Sequence, residues 1–132
     1  MLENQQPGCC EVHLSTPSGA FWSVMVIDDQ IDPNQVLLEQ EKQVRSEFES
    51  VESSPHNGYL GELPAKGHDL YFYCLDFLVA MKSRWVEAGE NKLVITFQAE
   101  NREFEQLEPV FMAITTSMLK NLTLTDSAAA ST

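Results

Sequence analysis

The chain has 132 residues, 20 acidic against 8 basic, and a formal net charge of −12. That length suits a single domain with a single core. The charge argues against nucleic acid and anionic membrane surfaces, and so favours a monomeric protein whose partner, if it has one, is another protein with a basic patch. There are three cysteines, Cys9, Cys10 and Cys74; two are adjacent and the count is odd, which suits a reducing compartment. Residues 1–20 hold no leader-like apolar run, and nothing approaches the roughly 20 apolar residues of a membrane span. The expectation is a cytoplasmic protein.

Taken in order, residues 1–9 read as a flexible N-terminus. Glu11–Ser15 alternates as a short strand, Thr16-Pro17-Ser18-Gly19 is a turn, and Ala20–Ile27 is the returning strand. The second strand is apolar at successive positions and belongs inside a sheet. Asp32 is an N-cap, Pro33 a first helical residue and Gln35 the far half of a capping box. Leu37, Glu41, Val44 and Phe48 then fall at helical spacing and predict a helix over Pro33–Phe48.

Glu49–Ser54 is polar and reads as an edge strand. Pro55-His56-Asn57-Gly58 carries the Asn-Gly signature of a type I′ hairpin turn, with Tyr59–Pro64 as its partner strand or an extended arm and 65–68 as loop. Leu70–Val79 is apolar and aromatic at nearly every position, so it predicts one strand covered on both faces. Lys82–Glu87 alternates better, and Leu93–Phe97 is again apolar throughout, with Ala88-Gly89-Glu90-Asn91 turning between them. Asn101 caps a first turn, and Pro109 opens a helix whose inward stripe is Leu107, Phe111, Ile114 and Met118, with Val110 alongside. Residues 121–132 read as a disordered tail, leaving one domain over 10–120.

This order predicts an α+β fold, a three-layer α/β/α sandwich. Its mostly antiparallel sheet has about six or seven strands, with one helix layer on each face. The pattern resembles the PsbP-like α/β/α sandwich group, which includes an extrinsic photosystem subunit, a Ran-binding nuclear transport factor and bacterial domains of unknown function. The resembling features are the hairpin from Val12 to Ile27 and the helix after it. The run Leu93-Val94-Ile95-Thr96-Phe97-Gln98-Ala99 and the closing segment Phe111–Met118 complete them. The resemblance covers core and turn residues over roughly 10–120, and it carries over no binding or metal residue.

Chemistry is sparse. Cys9 and Cys10 with His13 lack the second ligand pair that a zinc site needs, and no cofactor is expected. Cys74 sits in apolar company, where a thiol is filler. Asp76 is a carboxylate in a covered strand and needs a partner. A hairpin turning near Ala80 sets it opposite Arg84, as a register-fixing bridge or as polar anchors of a cleft. Trp85, on the strand expected to be least covered, is the candidate interface anchor. Asp76, Arg84 and Trp85 are therefore the candidate binding residues, with no catalytic or metal residue assigned. The expected function is a non-enzymatic protein-binding or adaptor domain. The alternative is a small-ligand or enzymatic cleft beside those three residues.

Overall fold

The computed structural model describes residues 9–130, with side chains described over 11–121. Its elements are β1 (Cys9–Ser15), β2 (Phe21–Ile27), α1 (Pro33–Glu47), β3 (Glu52–Leu60), β4 (Leu63–Cys74), β5 (Phe77–Ala88), β6 (Asn91–Glu100) and α2 (Asn101–Ala130). The fold is α+β, with one six-stranded antiparallel sheet of order β1-β2-β6-β5-β4-β3 and two helices. Of the expected flexible start, residues 1–8 lie outside the described residues. The stretch expected as a tail is helical to Ala130, and its side chains beyond 121 also lie outside them.

Side-chain alternation explains where the helices go. On β6, Leu93, Ile95, Phe97 and Ala99 cluster with Phe104, Phe111 and Leu119 of α2, together with Trp22 and Val24 of β2. The intervening Val94 clusters instead with Leu37 of α1 and with Ile27. Val44 of α1 meets Leu70, Phe72, Val79 and Met81. Each helix thus takes one set of alternating residues, as strands apolar at successive positions require. Trp22 also donates its indole N–H to Thr115 Oγ1 of α2 at 2.8 Å, so its one polar atom is satisfied inside the core.

The first half of the chain follows the sequence reading closely. Asp32 caps α1 by accepting from the Asn34 N–H at 2.9 Å, with Pro33 in the first turn. Gln35 departs from it: its side chain reaches forward to Glu39 at 2.9 Å, leaving no reciprocal capping box. From β3 onward the turns move. Asn57 and Gly58 lie within β3, and the chain reverses at Gly61-Glu62, where Gly61 takes a φ of +61° that other residues resist. Residues 65–68 are strand, not loop.

The run Leu70–Val79 is divided as well. Cys74 pairs with Phe77, so the hairpin turns at Leu75-Asp76, five residues before the expected place. Its coverage is also incomplete: Leu70, Phe72 and Val79 are buried, whereas Tyr73, Leu75 and Phe77 are exposed because the hairpin end runs beyond both helices. The second helix begins at Asn101, and Pro109 lies inside it. Pro109 and Glu105 are both exposed, so water can satisfy the carbonyl that proline cannot bond, and Phe104 and Phe111 anchor the helix on either side. The deepest residues of that helix are Phe104, Phe111, Thr115 and Leu119, while Val110 faces solvent.

The register between β4 and β5 rests on Gly67, which pairs with Arg84. A Cβ at Gly67 would lie 1.8 Å from the backbone oxygen of Ser83. Neither strand can yield without breaking its ladder. Gly67→Ala is expected to cost about 3 kcal/mol, the upper range for overpacking. Urea unfolding checks it: the midpoint should fall sharply while Ala65→Ser, nearby on the same strand, moves it less.

Candidate functional site

The surface beside α1 carries open, largely apolar space. Two grooves flank the helix and Gln40 borders both. The first, of about 720 Å³, runs between the C-terminal half of α1, the β4–β5 hairpin end and the start of α2. Its floor is Phe48, Phe72, Val79 and Met81, with the Phe48 and Phe72 rings stacked at 4.5 Å. Leu75 and Phe77 form the outer lip, and Glu47, Glu100 and Glu103 stand along the rim. Leu75 is 90% exposed and Phe77 50%. Leu75 also holds a φ of +58°, which a bulky side chain resists.

Between the two grooves, α1 is tied to the sheet by polar contacts. Gln40 accepts at Oε1 from Ser83 Oγ at 2.6 Å and from His68 Nε2 at 2.8 Å, and donates from Nε2 to Thr96 Oγ1 at 3.1 Å. Next to it, Glu41 lies 3.8 Å from His68 Nδ1 and accepts from Arg45 at 2.9 Å and Ser53 at 3.0 Å. Burial works to raise the Glu41 carboxyl, but these hydrogen bonds and the Arg45 and His68 charges hold it below the usual range. Burial of the imidazole pushes His68 below its ordinary value. Glu41 opposes that shift, Arg84 adds to it and Asp69 opposes it.

Ser83, His68 and Glu41 are the residue types of a nucleophilic triad, but this cluster cannot act as one. Ser83 is fully buried and its hydroxyl is spent on Gln40. The histidine nitrogen that would serve as its base is spent on the same oxygen. The arrangement positions a helix; it does not present a nucleophile. Among the described residues no three His, Cys, Asp or Glu side chains converge as metal ligands, and the Cys9 and Cys10 side chains lie outside those described.

The three residues singled out from the sequence occupy separate places. Asp76 is in the hairpin turn, where an exposed carboxylate needs no partner. Arg84 is buried in mid-strand opposite Gly67, donates to the His68 and Ser83 carbonyls at 3.1 and 2.8 Å, and lies 2.7 Å from Asp69 Oδ1. That oxygen accepts no aligned hydrogen bond, so the contact is electrostatic rather than directional. Arg84 therefore has an acid partner, but it is Asp69. The Asp76–Arg84 register is replaced because the hairpin closes at Cys74–Phe77. Trp85, next along β5, faces the α1 side among Val36 and Val94, and borders a recess of about 310 Å³ with Pro64, Lys66 and Glu87. Its indole N–H is buried with no partner among the described residues.

Sequence reasoning missed the groove and the polar bridge. A signal for the bridge existed: Gln40 beside an apolar helical stripe, and Ser83 and Thr96 in strands otherwise apolar.

In backbone shape the chain is similar to PA94 of Pseudomonas aeruginosa, a protein of unknown function. The TM-score is 0.55, at 12% identity over 86% of this chain and 84% of that one. It is also similar to LpqN of Mycobacterium tuberculosis, a protein involved in cell envelope biogenesis. There the TM-score is 0.40, at 17% identity over 89% of this chain and 62% of LpqN. The first likeness concerns fold alone, and the second is too distant to support an argument. No family model and no curated protein sequence matches the chain. No helix among the described residues is long and apolar enough to cross a membrane.

The bridge has a pH signature. Because the folded His68 binds its proton less readily than the unfolded one, the unfolded state takes up more protons between the folded pKa and about 6.5. Stability from this residue is therefore complete above pH 6.5 and declines as pH falls through that window. Glu41, also lowered, adds a second loss that begins near its ordinary value of 4.5. Urea midpoints of the native chain should fall between pH 7.5 and 5.5, and His68→Gln, which has no proton to gain there, should remove part of that fall.

Proposed function

We propose that the chain is a non-enzymatic protein-binding domain, an adaptor of the PsbP-like three-layer α/β/α kind. In this reading it receives an apolar segment with basic flanks in the groove between α1 and the β4–β5 hairpin end. One helix against each set of alternating sheet residues supports the layered architecture, and the likeness to PA94, itself described as a candidate regulator, is consistent with it.

The observation that carries the proposal is Leu75. It is almost wholly exposed and held at positive φ, although glycine or asparagine would turn this hairpin with less strain. Neither packing nor turn chemistry accounts for it. With Phe77 beside it and Glu47, Glu100 and Glu103 on the rim, the lip offers an apolar anchor inside an acidic frame. The net charge of −12 steers basic partners toward the domain as a whole.

A second reading keeps Trp85 as the centre of a small-ligand site with Lys66 and Glu87. The unpartnered indole N–H beside a recess favours it. Arg84 and Asp76 have no role in that version.

The test separates stability from binding. Leu75→Asn should leave the fold unchanged or raise its stability by up to about 1 kcal/mol, because asparagine tolerates this backbone. Phe77→Asp should leave circular dichroism unchanged. In pull-downs at low and moderate salt, both variants should lose a partner that the native chain retains. Retention of the same partner by Phe77→Asp would exclude the groove.

A further inference from the structure

We propose that the outer edge of β1 docks an extended peptide in which apolar residues alternate with lysine or arginine, adding it to the sheet as a seventh strand. This surface is separate from the groove at the hairpin end, and it does not depend on that groove's function.

The backbone supplies the first part of the argument. The Thr16 N–H donates to the Ala20 carbonyl at 2.9 Å where the β1–β2 hairpin closes. Bonded pairs recur every second residue in an antiparallel ladder, so Leu14 and Val12 bond inward to Trp22 and Val24. Glu11, His13 and Ser15 then turn their N–H and C=O groups outward, where the sheet ends. Among the described residues no strand pairs with those groups, and they form a template for another strand.

The two edges of the sheet are not equivalent. At the far edge, β3 closes its hairpin at Leu60–Leu63, and the same alternation puts Pro55 at an outward-facing position. Proline has no N–H, so that edge is interrupted. Between Cys9 and Ser15 there is no proline, no lysine and no glycine. Proline and lysine, two of the devices that block edge pairing, are absent from β1, and Pro55 supplies one of them on β3.

The side chains specify the occupant. Val12 and Leu14 stand on the α2 side and are 46% and 48% exposed. Glu11 and His13 stand on the other side, lining the second groove beside α1, where Glu39 faces them. Glu11 has no ion-pair partner among the described residues. An added strand sends alternate side chains to these two surfaces. Apolar residues therefore meet Val12 and Leu14, and basic residues meet Glu11 and Glu39. A second copy of the chain is the poorer occupant, since it brings its own charge of −12.

The experiment uses the full chain and three labelled eight-residue peptides with blocked ends, followed by fluorescence anisotropy. One alternates valine and lysine, one holds the same residues in two blocks, and one alternates valine and glutamate. The alternating lysine peptide should bind saturably and weaken with added salt. The block peptide should bind at least about tenfold more weakly, and the glutamate peptide not at all. His13→Pro removes an outward N–H while sparing the β1–β2 ladder, and should weaken binding by about tenfold with circular dichroism unchanged. Should that variant fold poorly, Leu14→Lys, at an exposed position, should produce a similar loss. Phe77→Asp should leave peptide binding intact, so failure of the groove and failure of the edge are told apart. Equal binding of the block and alternating peptides, unchanged binding by both β1 variants, no binding by the native chain, or sedimentation as a β1-mediated dimer in place of peptide binding would each overturn the proposal.

Discussion

The structure depends on a mismatch of lengths. Among the described residues five of the six strands bury residues in the core, and β6 buries five in succession from Leu93 to Phe97, so both faces of the sheet need cover. α1 has 15 residues and spans about 22 Å, while β4 and β5 have 12 each and span about 40 Å. The short helix covers the middle of its face and leaves open apolar space on either flank. α2 has 30 residues and does not share that limit. Both grooves follow from the short reach of α1.

A helix that short buries only Pro33, Leu37 and Val44 fully, which leaves it free to slide or tilt on an apolar sheet. Hydrophobic contact alone has no direction. The Gln40 amide supplies the direction, because its two ends bond three buried side chains from β4, β5 and β6. A displaced α1 would strand those polar groups away from water, a penalty of about 1–3 kcal/mol for each. Polar groups placed centrally thus fix the helix that apolar groups merely attract, and the walls of both grooves keep their shape for that reason.

How much of this was legible in the sequence varied with how local the signal was. The hairpin from Glu11 to Ile27, the capped helix from Pro33, the Gly89 turn and the strand after it all carry their instructions within a few residues, and all were readable. The middle of the chain was not. Asn57-Gly58 is a strong local turn, yet it runs straight within β3, because Gly61 can reverse the chain later and β4 pairs with the longer strand. Leu75-Asp76 lacks the glycine or asparagine that marks a two-residue hairpin turn, and the register of two 12-residue strands imposes the turn there. Likewise Pro109 signals a helix start only to a local reading; the pair Phe104 and Phe111 carries the helix across it. The groove was hidden for the same reason, since it is assembled from positions whose pairing had to be known first.

The unequal rims of the sheet set a limit on assembly. Open-ended stacking of sheets into a fibre needs two receptive sides on every subunit, one to join and one to be joined. Here proline at position 55 leaves one side unreceptive. A second copy that joins along β1 would therefore present its own β3, with Pro55, as the outward border. Polymerisation by this route stops after a single addition, even at concentrations where an unprotected sheet of this size would keep growing.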